Sequence, residues 1–123
     1  MKTHRDLDVW KKSVSLVTLI YDITKGFPKE EIYGLTNQIR RAAVSVPSNI
    51  AEGSARQGNK EFVQFLYISL GSLTELETQL IIAKNLHFLS EENFESLMSK
   101  QKEIGKMLIG LIRYIKKNRD NTK

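Results

Sequence analysis

The chain has 123 residues, is 41% hydrophobic and 27% charged, and carries a net charge of +5. That is the length of one domain, 1–123, with enough apolar residues for a single core. The absence of cysteine excludes disulfides and thiolate metal sites, and no apolar run reaches the roughly 18 residues of a membrane span.

The first residues run into a helical pattern with aspartates rather than into the apolar core of a signal peptide, so a cytoplasmic location is expected. The charge is unevenly placed. Residues 1–70 carry ten Lys/Arg against seven Asp/Glu, residues 71–99 one against five, and residues 100–123 eight against two. A basic C-terminal segment attracts nucleic acid or acidic partners; the alternative is a solvated helix face with a basic tail.

A first helix is predicted over about residues 8–25. Val9, Trp10, Val14, Leu16, Val17, Ile20, Tyr21 and Ile23 recur at helical spacing, and Asp6 or Asp8 is positioned to cap it. A second is predicted over about 28–55, opening on Pro28 with Glu30 and Glu31 in its first turn. Its core stripe reads Ile32, Leu35, Ile39, Ala42/Ala43, Val46, Ile50, Gly53, the spacing of a bundle seam.

Residues 54–59 break the pattern, and Asn59 is the expected N-cap of a third helix, about 59–86. Phe62, Leu66, Leu70, Leu73, Leu76, Leu80 and Ala83 line one side of it, with Val63, Tyr67 and Ile81 beside them. Ser90 is the expected cap of a fourth helix, about 90–118, with Glu91 and Glu92 in its first turn. Its stripe is Phe94, Leu97/Met98, Gln101, Ile104, Leu108, Leu111/Ile112, Ile115. Four helices joined by short turns predict an all-α, up-down-up-down antiparallel four-helix bundle. The first and third helices are apolar around more of their circumference than one core needs, and Gly71-Ser72 admits a close neighbour, so self-association is expected.

The least ordinary stretch is residues 38–53, QIRRAAVSVPSNIAEG. Pro47 removes an amide from the helix interior, which predicts a kink. On a helical wheel Arg41, Ser45, Ser48 and Glu52 form a stripe opposite the core, with Gln38, Asn49 and Arg56 at one edge and Tyr33, Arg40, Val44 and Pro47 at the other. An acid near a helix C-terminus opposes the dipole. Either the helix runs on to about Ala55 or Glu52 has a partner, and an Arg–Glu contact between subunits is one candidate. Arg41, Ser45, Ser48, Asn49 and Glu52 are therefore the expected oligomer interface.

At these residues the chain resembles a known family. DLDVWKKSVSLVTLIYDIT, FPKEEIYGLTNQIRRAAVSVPSNIAEGSAR, EFVQFLYISLGSLTELETQLIIA and EIGKMLIGLI are similar to the bacterial four-helix-bundle proteins encoded by intervening sequences inserted in 23S ribosomal RNA genes. The resemblance covers about residues 6–115; Ser13 departs from it, standing where the family more often has a small apolar residue. It implies a bundle that assembles as a homopentamer, with a role connected to ribosomal RNA or its inserted segment. A related branch comprises the accessory proteins of diversity-generating retroelements, which bind nucleic acid and a reverse transcriptase.

The residues themselves offer little for catalysis. His4 and His87 are the only imidazoles, short of the convergent set a metal requires. No nucleophile elbow is visible. Residues 53–60, GSARQGNK, imitate a phosphate loop but follow a helix and lack the Gly-Lys-Ser/Thr ending. Neither an enzyme, a cofactor nor a small-molecule substrate is expected.

Nucleic acid is the better candidate. Lys102, Lys106, Arg113 and Lys117 fall within about 60° on the helical wheel, with Lys116 and Arg119 beside them. Lys11, Lys12, Arg40 and Arg41 are candidate additions, and Tyr114 is the only aromatic near the strip in sequence. A protein-interaction scaffold is the competing class, supported by the broad apolar faces and the acidic 71–99 region.

Overall fold

A computed structural model of the chain describes the backbone of residues 3–121 and side chains as far as Asn118. Within them are four α-helices: α1 (Asp8–Thr24), α2 (Leu35–Ser54), α3 (Asn59–Asn85) and α4 (Glu91–Asn121). Each helix packs on its neighbours in the chain, and α4 closes back on α1. The register is antiparallel. Ser45 on α2 meets Ser72 on α3, while Gly53, later on α2, meets Phe65 and Phe62, earlier on α3. Likewise Gln101 on α4 reaches Leu73 on α3, and Lys116 reaches back to Tyr67.

The core holds the residues whose period marks them in sequence. Leu16 and Ile20 of α1, Ile39, Val46 and Ile50 of α2, Leu66, Leu73, Leu76 and Leu80 of α3, and Leu97, Ile104 and Leu108 of α4 are all buried. Each such side chain contributes roughly 1.5–3 kcal/mol relative to exposure. Ser13 and Thr24 also enter the core on α1, donating to the Val9 and Ile20 carbonyls at 2.7 Å. Back-bonding of this kind lets a hydroxyl be buried without losing its partner. Val14 and Tyr21, which share the helical spacing of the apolar residues of α1, face outward.

The helix starts differ most from expectation. Neither Asp6 nor Asp8 caps α1, whose N-cap is Leu7 with no side-chain bond. Asp6 instead closes a short 3-10 turn, His4–Asp6, by accepting from the Thr3 amide at 3.1 Å. The second helix does not begin at Pro28. A 3-10 turn over Lys29–Glu31 comes first, the chain bends at Gly34, and α2 starts at Leu35. The Glu31 side chain reaches forward to accept from the Leu35 amide at 3.0 Å. Ile32 consequently lies outside the core, 46% exposed. Asn59 is the first residue of α3 rather than its cap, which falls to Gly58. Ser90 does serve α4, accepting from the Asn93 amide at 3.0 Å.

The α2–α3 pair is the most closely approached. A Cβ built on Gly53 would lie 2.6 Å from Phe65 Cβ and 3.0 Å from Phe62 Cδ1, so α2 touches α3 where only glycine fits. Gly53 is thus a packing residue inside α2, which continues to Ser54, rather than a helix stop. Gly71, by contrast, has nothing within 4 Å of a built Cβ; no helix of this chain uses it. The α3 C-terminus closes with His87 in the left-handed region (φ 65°). The Phe88 amide donates to Ala83 O at 2.9 Å and the His87 amide to Lys84 O at 3.0 Å, the bond pair of a Schellman motif. It brings Phe88 to Phe27, ring centroids 5.7 Å apart.

Candidate nucleic-acid interface

The outward face of α4 follows from its inward one. With Leu97, Gln101, Ile104, Leu108, Ile112 and Ile115 buried, the residues about half a turn away must face solvent. Those are Lys102, Lys106, Arg113 and Lys117, all exposed. Among the described side chains none of the four has a carboxylate within ion-pair distance. The strip is about 22 Å long at the helical rise. Glu103, an acid within the strip's span on α4, is drawn toward α1 by Lys12 at 3.2 Å.

The remaining predicted cations are placed differently. Lys116 leans toward α3, where Nζ donates to Tyr67 Oη at 3.0 Å and lies 5.2 Å from the ring centroid. Arg119 lies outside the described side chains. Arg40 is half-buried on α2, at the far end of α1. Its Nε donates to Thr24 Oγ1 at 2.9 Å, and its guanidinium lies 4.5 Å from the Tyr21 ring centroid. Among the described residues α2 does not pack on α4, so Arg40 and the α4 strip are not brought together. Arg41 is exposed on a polar groove of about 360 Å³ between α2 and α3, with Gln38, Ser45, Ser72, Glu75 and Gln79.

Tyr67 is the residue the sequence did not offer for this face. Tyr114 (64% exposed) was expected beside the strip; Tyr67 (48% exposed) joins it because α3 packs antiparallel on α4. Its position in the second apolar strip of α3 was the only available signal, and that strip reads equally well as core.

The proposed interface residues of α2 are largely occupied within the chain. Ser45 Oγ and Ser72 Oγ are 2.8 Å apart. Asn49 Nδ2 donates to the Ser45 carbonyl at 2.8 Å and to its hydroxyl at 2.9 Å. Ser69 Oγ donates to the Val46 carbonyl at 2.8 Å. Glu52 has its partner one turn on, Arg56 at 3.6 Å, which also approaches Glu61 at 3.9 Å and stacks on Phe65 at 5.0 Å. The acid near the end of α2 thus has a cationic partner inside the chain. Ser48 is exposed.

Among the described residues no His, Asp or Glu cluster could hold a metal, and no helix is long and apolar enough to cross a membrane. No curated protein matches the chain. A crystal structure of a protein of unknown function from the S23 ribosomal protein family, from Bacteroides thetaiotaomicron, superimposes with a TM-score of 0.80 at 28% identity, covering 85% of this chain and 95% of that one. The family model for the 23S rRNA-intervening sequence protein matches residues 5–110. With that match over most of its length and the four-helix architecture, the chain belongs to the 23S rRNA-intervening sequence protein family.

Proposed function

We propose that this protein is a non-enzymatic, cytoplasmic nucleic-acid-binding bundle that contacts phosphates through the outer face of α4. The observation that carries this reading is the row Lys102, Lys106, Arg113 and Lys117, exposed together on one helix face with no carboxylate partner among the described side chains. Cations on a folded surface that are not consumed by ion pairs keep their charge available for counterion-releasing contacts. Tyr67 and Tyr114 flank the row and offer ring faces for unpaired bases. The family's link to 23S rRNA makes RNA the first ligand to try.

Four phosphate contacts give a slope of log K against log salt of about −3 to −4. The test is RNA and DNA binding from low to physiological salt, with wild type and a Lys102→Glu/Lys106→Glu/Arg113→Glu/Lys117→Glu variant. Binding with that slope, lost in the variant, is the expected result. No binding at low salt, or a slope the variant leaves unchanged, overturns the reading.

Self-association belongs to the same proposal, with a homopentamer as the resemblance suggests; a ring would repeat the strip and raise its effective concentration. Light scattering that shows a monomer at micromolar concentration would remove this part. One observation favours a scaffold, or a reverse-transcriptase accessory role, beside nucleic-acid binding. Ile68, Ile81 and Ile82 are exposed on α3, and Leu86 just past its end, apolar surface suited to another protein.

A further inference from the structure

At one end of the bundle the N-cap of α1, the end of α2, the start of α3 and the last turns of α4 enclose a hollow of about 310 Å³. Phe62 and Ile115, both buried, are its floor, and Tyr114 stands exposed at its rim. Asn59 and Asn118 also line it. Their carboxamides make no hydrogen bond among the described residues, so each has a donor and an acceptor free. An apolar hollow with a few convergent polar groups is the usual form of a site for a small organic group, and this one lies at the lower end of the roughly 300–1,000 Å³ range. It has room for one ring system.

The charge around it is divided. Arg56 lines the hollow, but its guanidinium is taken by Glu52 at 3.6 Å, Glu61 at 3.9 Å and the Phe65 ring at 5.0 Å. The interior is therefore close to neutral. The adjoining edge of α4 is not: residues 111–118 hold Arg113, Lys116 and Lys117 and no acid. Tyr114 follows Arg113 in the chain, and Asn118 follows Lys117, so the hollow and the last two cations of the exposed row share about 8 Å of helix. A neutral, flat-walled hollow continuous with a cationic row divides its surface as a nucleotide does, into an uncharged planar base and an anionic phosphate. An acidic peptide would need its cations inside the hollow, and a base inside a duplex cannot enter without unpairing.

We propose that this hollow receives one unpaired base of a single strand whose phosphates lie on Arg113 and Lys117. The base stacks on Tyr114, and the carboxamides of Asn59 and Asn118 pair with its edge, the mode by which unstacked bases are recognised. The proposal rests on the α4 reading and deepens it: the preferred ligand is single-stranded, and the base contributes as well as the backbone.

The experiment is fluorescence anisotropy of the full chain at low salt with three probes: a ten-nucleotide single-stranded RNA, a strand of the same length made only of abasic residues, and the duplex of the first. The RNA strand is expected to bind about tenfold or more tighter than the abasic strand, the worth of one stacked base. Tyr114→Ala should reduce the RNA strand to the abasic level, and Tyr114→Phe should retain the difference. Asn118→Ala should weaken the RNA strand about fivefold, as for a hydrogen bond between neutral groups. Neither Tyr114→Ala nor Asn118→Ala should alter binding of the abasic strand or of the duplex. Tyr67→Ala, on the other side of the row, should cost less than Tyr114→Ala.

An abasic strand that binds as tightly as the RNA, equal losses from Tyr67→Ala and Tyr114→Ala, a duplex that loses as much as the single strand in Tyr114→Ala, or an Asn118→Ala variant that binds like wild type overturns the proposal. The two readings fail differently. Abasic binding with the salt slope of the α4 row, and no gain from the bases, removes the hollow alone; no binding by any probe removes both.

Discussion

The α2–α3 seam and the outer face of α4 are both rich in polar residues, and they treat them in opposite ways. On the seam several of the unusual residues have partners in the same chain. Ser45 has Ser72, Ser69 has the Val46 carbonyl, Asn49 has Ser45, and Glu52 has Arg56. On α4, Lys102, Lys106, Arg113 and Lys117 have no carboxylate partner among the described side chains. The difference separates polar residues tied to partners in the same chain from a cation row with none among the described side chains. Part of the conspicuous stretch around Pro47 is of the first kind, while its Arg41 and Ser48 are exposed.

The contrast breaks most readily at Gly53. Gly53→Ala places a methyl 2.6 Å from Phe65 Cβ, and backbone must move to admit it. A loss of about 1–3 kcal/mol is expected, the range for overpacking a close contact. Urea unfolding should show a lower midpoint at unchanged slope. An unchanged midpoint would mean that α2 and α3 are not held at that distance. Ser69→Ala is the next step down. It removes the buried donor to the Val46 carbonyl and should cost about 1 kcal/mol, the usual net value of such a bond. Paired with Ser45→Ala in a double-mutant cycle, it should prove nearly additive, because the two hydroxyls serve different acceptors.

Much of this was legible in the chain before any coordinates. The α4 stripe from Leu97 to Ile115 is buried as its period predicts, including the polar Gln101, whose Nε2 donates to the Leu73 carbonyl at 3.3 Å. The basic strip is legible for the same reason: period alone places Lys102, Lys106, Arg113 and Lys117 opposite that stripe. Where period fails, the deciding contact lies elsewhere. Pro28, Glu30 and Glu31 carry every local mark of a helix start, but Gly34 bends the chain and the Glu31 carboxylate takes the Leu35 amide. Arg40 and Lys116 read as free cations until Thr24, 16 residues away, and Tyr67, 49 residues away, are brought beside them. No local pattern encodes a partner at that separation.

A smaller test concerns the end of α3, which joins the seam to α4. His87 sits at φ 65°, a conformation that a side chain pays for and glycine does not. His87→Gly should stabilise the protein by up to about 1 kcal/mol, read as a raised urea midpoint. A loss instead would show that the imidazole makes a contact outweighing the backbone strain.

The smallest expected effect says most about α4. Lys102 and Lys106 stand four residues apart on one exposed face, as do Arg113 and Lys117, and like charges at that spacing disfavour a helix by about 0.2–0.5 kcal/mol per pair. A cation row selected for stability would be broken by acids. Lys106→Gln relieves the first pair in mid-helix, away from the C-terminal dipole that favours Lys117. It should therefore raise stability by a few tenths of a kcal/mol at low salt, with the gain vanishing at high salt as the repulsion is screened. The same substitution should lower the salt slope of nucleic-acid binding by about one contact. A variant that is more stable and binds less would show that this face is kept basic against the interest of the fold. A variant that loses stability would return Lys106 to the class of residues on the seam, with a partner inside the chain.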